Sequence, residues 1–146
     1  MRLLVACCFL IAAFAARADI VDIDNAALAK LTAAGVPLVD IRTASEWQET
    51  GIVPGSHLLT FFDERGNADP AAWLKKVNAI AKPGDPVIVI CRSGNRTQKV
   101  SKFLSEQARY AKVYNVRNGF NAWAKEHRPI ASAAPALAAC QKARTC

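Results

Sequence analysis

Residues 86–97 read PVIVICRSGNRT. A run of β-branched apolar residues, Val87 to Ile90, stops at a thiol, Cys91. Arg92, Ser93, Gly94, Asn95 and Arg96 follow, and a segment of helical character begins at Thr97. An unbroken apolar run of this length suits a strand covered on both faces rather than one with a wet side. A strand, a short polar loop and a helix start, in that order, set the loop at the carboxyl edge of a sheet, where α/β proteins collect their ligands.

The flanking segments extend the same alternation. Ile20 to Ile23 reads as an edge strand. Asn25 to Ala34 reads as a helix stopped by Gly35, which suits the left-handed position past a helix end. Pro37 to Ile41 is a second strand, and Thr43 to Gln48 a helical turn in which Arg42 and Glu46, four apart, are expected to pair. Gly51 to Gly55 is a turn and Ser56 to Phe61 a weaker strand. Asp69-Pro70 supplies a cap and a first-turn proline for a helix running to about Ala81, with Trp73, Leu74, Val77 and Ile80 on one face. Thr97 to Gln107 is a helix, Lys112 to Val116 a strand and Gly119 to Glu126 a last helix. Strands alternating with helices predict a layered α/β fold with a central, mostly parallel sheet. Residues 130–146 form an alanine-rich tail, helical in part from Pro135, with no function assigned.

The amino end is read separately. Arg2 precedes an uninterrupted apolar stretch of fourteen residues, Leu3 to Ala16, and Ala16-Arg17-Ala18 has the small-x-small form of a cleavage site. A bilayer span needs roughly 20 residues, so residues 1–18 read as a secretory signal peptide cut before Asp19. The domain is then residues 19–129, and the mature chain is expected in the periplasm or outside the cell, not held in a membrane. Loss of Arg2 and Arg17, with no acid, lowers the net charge from +7 to +5. The basic residues are scattered, without the long run and interleaved aromatics of a nucleic-acid groove. They help attract small anions.

Export bears on the cysteines. Cys7 and Cys8 leave with the leader, and Cys91, Cys140 and Cys146 remain. In an oxidising compartment three thiols suggest one pair and one free. Proximity favours Cys140 with Cys146, leaving Cys91 free; a bridge from Cys91 to a tail cysteine, as a resting or resolving state, is the alternative.

A free thiol at this position has a specific chemistry. A loop of Arg92 to Arg96 can turn its backbone N–H groups toward one point, helped by the conformational range of Gly94 and Asn95. Those groups and the helix amino end make an anion cradle. The same field favours thiolate over thiol, and Arg92 and Arg96 add positive charge, so the residues describe a sulfur nucleophile meeting an anionic substrate. The alternative role for one of the arginines, Arg96 in particular, is to brace the loop against an acid, for which Asp40 is the candidate. Thr97, Asp40 and Arg42 are read as supporting residues. His57 and His127 lack metal-ligand spacing, and Ser45 and Ser93 lack a base partner. Trp47, Trp73 and Trp123 read as core.

The loop resembles the active-site loop of the rhodanese (thiosulfate:cyanide sulfurtransferase) family. Asp40-Ile41-Arg42 with Glu46-Trp47 resembles that family's D-[VI]-R-x-x-x-E-[YWF], Ile52 to Ser56 its I-P-G-A stretch, and Val116 to Trp123 its terminal L-x-G-G-x-x-x-W, with Asn118 in place of the first glycine as the residue best able to hold a positive φ. The resemblance implies a rhodanese-like three-layer fold with a five-stranded sheet. It implies sulfane-sulfur transfer from thiosulfate or a similar anionic donor to a thiophilic acceptor (cyanide, a small thiol or a protein thiol) through a persulfide on Cys91, with no metal or organic cofactor. Rhodanese-like phosphatases and arsenate reductases carry five residues between Cys and Arg; here there are four, Arg92 to Asn95, which closes a smaller cradle. A sulfur carrier or interaction module with little turnover is the other alternative.

Overall fold

A computed structural model describes residues 19–146; the leader read at residues 1–18 lies outside the described residues. The strands β1 (Asp19–Ile23), β2 (Leu38–Asp40), β3 (His57–Leu58), β4 (Pro86–Ile90) and β5 (Lys112–Val116) form one sheet in the order β1-β5-β4-β2-β3. Every pairing is parallel. The helices are α1 (Asn25–Ala33), α2 (Ala44–Thr50), α3 (Pro70–Val77), α4 (Asn95–Lys102), α5 (Gly119–Lys125) and α6 (Ala134–Ala143).

The apolar run of β4 is explained by its central position. Val87 and Val89 point to one face, into a cluster with Trp73 and Val77 of α3, Val100 of α4 and Leu104. Ile88 and Ile90 point to the other, against Leu28 of α1 and Phe120 and Trp123 of α5. Successive strand side chains alternate between faces, and helices cover both here, so no position of the run meets water. Asp24 caps α1 by accepting from the Ala27 amide at 2.8 Å, and Gly35 follows at φ +84°. Asp69 caps α3 through the Ala72 amide at 2.9 Å, with Pro70 as the first helical residue.

Three elements differ most in extent from the sequence reading. The helix expected to reach Ala81 ends at Val77 and passes into tighter turns (Ala79 N to Lys76 O, Ile80 N to Val77 O), although Ile80 and Ala81 still pack on the core. The helix expected over 97–107 begins two residues earlier, at Asn95, and widens to a π-helical turn over Phe103–Gln107. The strand expected over 56–61 contracts to His57–Leu58. Beyond it Thr60 turns its hydroxyl to the Arg42 carbonyl (2.8 Å), and Phe61 turns inward edge-on to Trp73, with ring centroids 4.9 Å apart.

The alanine-rich tail packs on the domain. Ile52 and Ala131 exchange backbone hydrogen bonds of 2.9 Å, and Ala133 and Leu137 bury against Trp47, Ile52 and Leu58. The β3 side of the sheet, a potential template for further strands, is thereby covered. Cys140 and Cys146 are joined by a disulfide, Lys76 Nζ donates to the Cys146 carbonyl at 2.6 Å, and Cys91 is free. The tail pair therefore sits with the far edge strand, two positions across the sheet from β4.

Candidate functional site

Cys91 directly follows β4, and α4 opens four residues later. The chain turns back through Gly94 at φ +93°, which brings the Gly94 amide to donate to Cys91 Sγ at 3.2 Å. Thr97 donates its hydroxyl to the Gly94 carbonyl at 2.8 Å and lies 3.7 Å from Sγ. The first amides of α4 have no acceptor within their own helix, so the positive end of its dipole faces this turn. Sγ lies at the base of the loop, fully buried in the cluster with Phe61 and Val100, while Arg92 and Ser93 on the rim are exposed.

A second turn, between β5 and α5, holds this loop from behind. The Phe120 amide donates to the Cys91 carbonyl (2.8 Å) and the Asn121 amide to the Arg92 carbonyl (3.0 Å). The approach is close: a Cβ on Gly119, at φ +60°, would stand 2.5 Å from the Cys91 oxygen and 2.6 Å from the Arg92 carbonyl, and a Cβ on Gly94 would collide with the Arg117 carbonyl. In these two turns Gly94 and Gly119 carry the positive φ. Contrary to expectation, Asn118 has φ −103°, and Asn95 is simply the first helical residue of α4. The substitution of Asn for the usual glycine at 118 is tolerated because that backbone is ordinary.

The supporting residues are rearranged relative to the sequence reading. Arg42 does not pair with Glu46. Its guanidinium turns back on Asp40, with Nη2 to Oδ2 at 2.6 Å and Nε 3.0 Å from both oxygens. It also donates to Thr50 Oγ1 (2.8 Å) and the Gly51 carbonyl (2.9 Å), and its face lies 4.0 Å from the Phe120 ring. Both side chains are buried, at 1% and 0% exposure. A buried charge pair is tolerated where each hydrogen-bonding position is answered, and here the pair ties the end of β2 to α2 and α5.

Glu46 is thereby released for Arg96. The two side chains form a parallel fork, Nη1 to Oε2 at 2.7 Å and Nη2 to Oε1 at 2.6 Å. Arg96 does brace the loop, but the acid is Glu46 rather than Asp40. Glu46 is fixed in turn by a capping box, its carboxylate accepting from the Thr43 amide at 3.1 Å at the start of α2. Partial burial pushes the Glu46 carboxyl up, but the Arg96 hydrogen bonds, the Thr43 amide and the charges of Arg96 and Arg42 outweigh it and hold it below its ordinary value. The Glu46 hydrogen bonds raise Arg96 correspondingly, against its own desolvation, with the neighbouring Cys91 adding to the rise. A Thr-x-x-Glu spacing ahead of a helix is a capping-box signal, so the placement of Glu46 was readable at Thr43–Glu46; its guanidinium partner, fifty residues away, was not.

Arg92, Arg96 and Lys99 line a groove of about 640 Å³ together with Glu46, Glu49, Glu64 and Phe62. That volume lies in the range of small-molecule sites. Among the described residues there is no group of three or more His, Cys, Asp or Glu placed to hold a metal ion, and no helix is long and apolar enough to cross a membrane.

Comparison with known proteins agrees with this geometry. Residues 24–126 match the family model of the rhodanese-like domain. A sulfurtransferase of Allochromatium vinosum is 32% identical over 116 residues, covering 75% of this chain and 92% of that one. Thiosulfate sulfurtransferase 18 of Arabidopsis thaliana is 29% identical over 117 residues, covering 77% and 84%. Among solved structures, a rhodanese-related protein from Thermoplasma volcanium superimposes with a TM-score of 0.58 at 24% identity, covering 76% of this chain and 97% of that one, a likeness of fold.

Proposed function

This chain belongs to the rhodanese-like domain family, and we propose that it is an exported sulfurtransferase in which Cys91 is the nucleophile. The reading is carried by one observation: a free, buried cysteine that receives the Gly94 amide at 3.2 Å, in a loop tied down on both sides. Negative charge on that sulfur is met by an N–H group already aimed at it, with no further reorganisation, the arrangement that electrostatic catalysis requires.

In the first half-reaction the Cys91 thiolate attacks the outer sulfur of thiosulfate. A new S–S bond forms, the old S–S bond breaks with its electron pair on the leaving group, and sulfite departs, leaving a persulfide anion on Cys91. In the second, a thiophilic acceptor attacks the outer sulfur and Cys91 leaves as thiolate. The kinetics are ping-pong. Arg92, exposed and without an ion-pair partner among the described residues, steers the donor's sulfonate. Arg96 is committed to Glu46 and positions the loop. Export rests on the leader read at residues 1–18, and the tail disulfide accords with an oxidising compartment.

The test is intact mass spectrometry. Incubation with thiosulfate is expected to add one sulfur, which cyanide removes, and a Cys91→Ala variant of unchanged fold is expected to show neither event. Hydrolysis of an aryl phosphate without sulfur loading would replace this reading with the phosphatase one. The mass of the protein from its native host reports whether the chain begins at Asp19.

A further inference from the structure

The tail beyond the domain is held by few contacts, and most of them fall on the helix that carries Glu46. The chain enters the tail through the Ile52–Ala131 bridge, directly after α2. The approach there is close: a Cβ on Gly51, the residue past the end of α2, would stand 2.5 Å from Ile130 Cγ2 and 2.7 Å from the Ala131 carbonyl oxygen. Leu137 is the one large apolar side chain that α6 buries, and it lies in the cluster with Trp47 of α2. Trp47 is itself buried, and its indole Nε1 has no hydrogen-bond partner among the described residues. An unanswered buried donor is costly, so closure over Trp47 gains less than its apolar area suggests. A helix as short as α6 is marginal by itself in water and depends on its docking. Among the described residues, one hydrogen bond leaves α6 and the turn beyond it. The Cys140–Cys146 disulfide folds the chain back, with Arg144 at φ +55° and the Thr145 amide donating to the Cys140 carbonyl at 2.9 Å. That turn presents the Cys146 carbonyl to Lys76 Nζ of α3 at 2.6 Å. Both cysteines are partly exposed, which leaves the bond open to an attacking thiolate.

From these contacts we infer that the tail is a redox-sensitive strap on the sulfur-loading site. A dithiol reductant opens it. One of its thiolates attacks a sulfur of the pair and forms a mixed disulfide; its second thiolate displaces the remaining cysteine. Two electrons pass from the dithiol, which ends as a disulfide, and Cys140 and Cys146 end as thiols after taking up the two protons. Cys146 is then no longer held at Lys76, the last turn of α6 frays, and the closure over Trp47 is lost. The effect runs along α2. Trp47 adjoins Glu46, whose carboxylate forks Arg96 of the Cys91 loop, and the Gly51 carbonyl at the end of α2 accepts from Arg42 at 2.9 Å. Release of α2 from the tail loosens the seat of that fork, so the reduced protein loads sulfur more slowly. The strap stands on the tail's own contacts; its effect on loading rests on the sulfurtransferase reading.

Hydrogen–deuterium exchange of the full chain, oxidised and after reduction with dithiothreitol, reads the strap directly. Reduction, and the Cys140→Ser/Cys146→Ser variant without reductant, are expected to remove amide protection from residues 131–146 and to lower it over 44–52, with 87–90 unchanged. Thiosulfate loading of the double variant, followed by mass without reductant, is expected to be about fivefold slower than that of the wild type, the low end of coupling between sites. Lys76→Gln, which keeps the disulfide, should shift both readouts in the same direction by less. Unchanged protection over 131–146 would make the disulfide a local staple and overturn the inference. So would a loss of protection that spreads equally into 87–90, which is general destabilisation, or an open tail with 44–52 and loading unaltered. A wild type that loads no sulfur defeats the parent reading alone, and the exchange result still decides the strap.

Discussion

Replacement of Gly119 by alanine tests the claim that the nucleophile loop is held in shape by the turn behind it. Gly119 has φ +60°, where an L side chain costs about 1–2 kcal/mol. Its Cβ would also lie 2.5 Å from the Cys91 carbonyl oxygen and 2.6 Å from the carbonyl carbon and oxygen of Arg92. These are backbone atoms that cannot swing aside as a side-chain tip would. Relief requires the two turns to separate by roughly 1 Å, weakening the hydrogen bonds from the Phe120 and Asn121 amides, worth about 0.5–1.5 kcal/mol each. The expected destabilisation is about 2–5 kcal/mol, with a fall in sulfur-loading rate of about 100-fold, the scale of a 1 Å misplacement of a reacting group. Gly35→Ala provides the control, since Gly35 has φ +84° with nothing within 4 Å of its Cβ position. It should register the backbone cost alone. Denaturant unfolding of both variants, with loading followed by mass, separates the terms. If Gly119→Ala loses no more stability than Gly35→Ala and loads sulfur normally, the pinning argument is wrong.

Two further outcomes follow from the charged pairs. Asp40→Asn leaves the Arg42 charge buried without its counter-ion, so stability should fall by about 3 kcal/mol, read from denaturant midpoints; a loss below about 1 kcal/mol would mean that the Thr50, Gly51 and Phe120 contacts suffice. Glu46→Gln removes a partly exposed bidentate pair worth about 1 kcal/mol after solvent screening. Because the folded-state Glu46 carboxyl lies below its ordinary 4.5, that contribution is fully present above about pH 4.5 and is lost as pH falls through the lowered value. The stability gap between wild type and Glu46→Gln should accordingly be flat from pH 8 to 5 and close in more acid solution; a gap that persists unchanged at pH 3 would disprove the ion-pair assignment.

The residues themselves announced the fold and the position of the thiol. The run Val87 to Ile90 suited a strand with both faces covered, and the Asp69 cap and the stop at Gly35 marked helix ends by local chemistry that needs no distant partner. Cys91 was legible for the same reason, since a strand end, a glycine and a helix start adjoin it in the chain. The partners of the charged residues were not. Local spacing offered Glu46 to Arg42, four positions along, but Arg42 lies before α2 begins and Glu46 is its capping residue, so the helical neighbour relation never applies. Asp40 reached Arg42 from two residues away, and Arg96 reached Glu46 only because β4 and β2 lie side by side.

What the chain decided alone is what short-range forces settle: periodicity, caps, turns and the place of the thiol at a strand end. Tertiary structure decided which guanidinium groups are tied up in ion pairs, which glycines must stay bare, and that the tail closes over the β3 edge through Leu137 and Ala131. Those outcomes depend on which elements the sheet order sets next to one another. Burial then selects the pairings that leave no charge unanswered, and the energies that make that selection act between residues tens of positions apart.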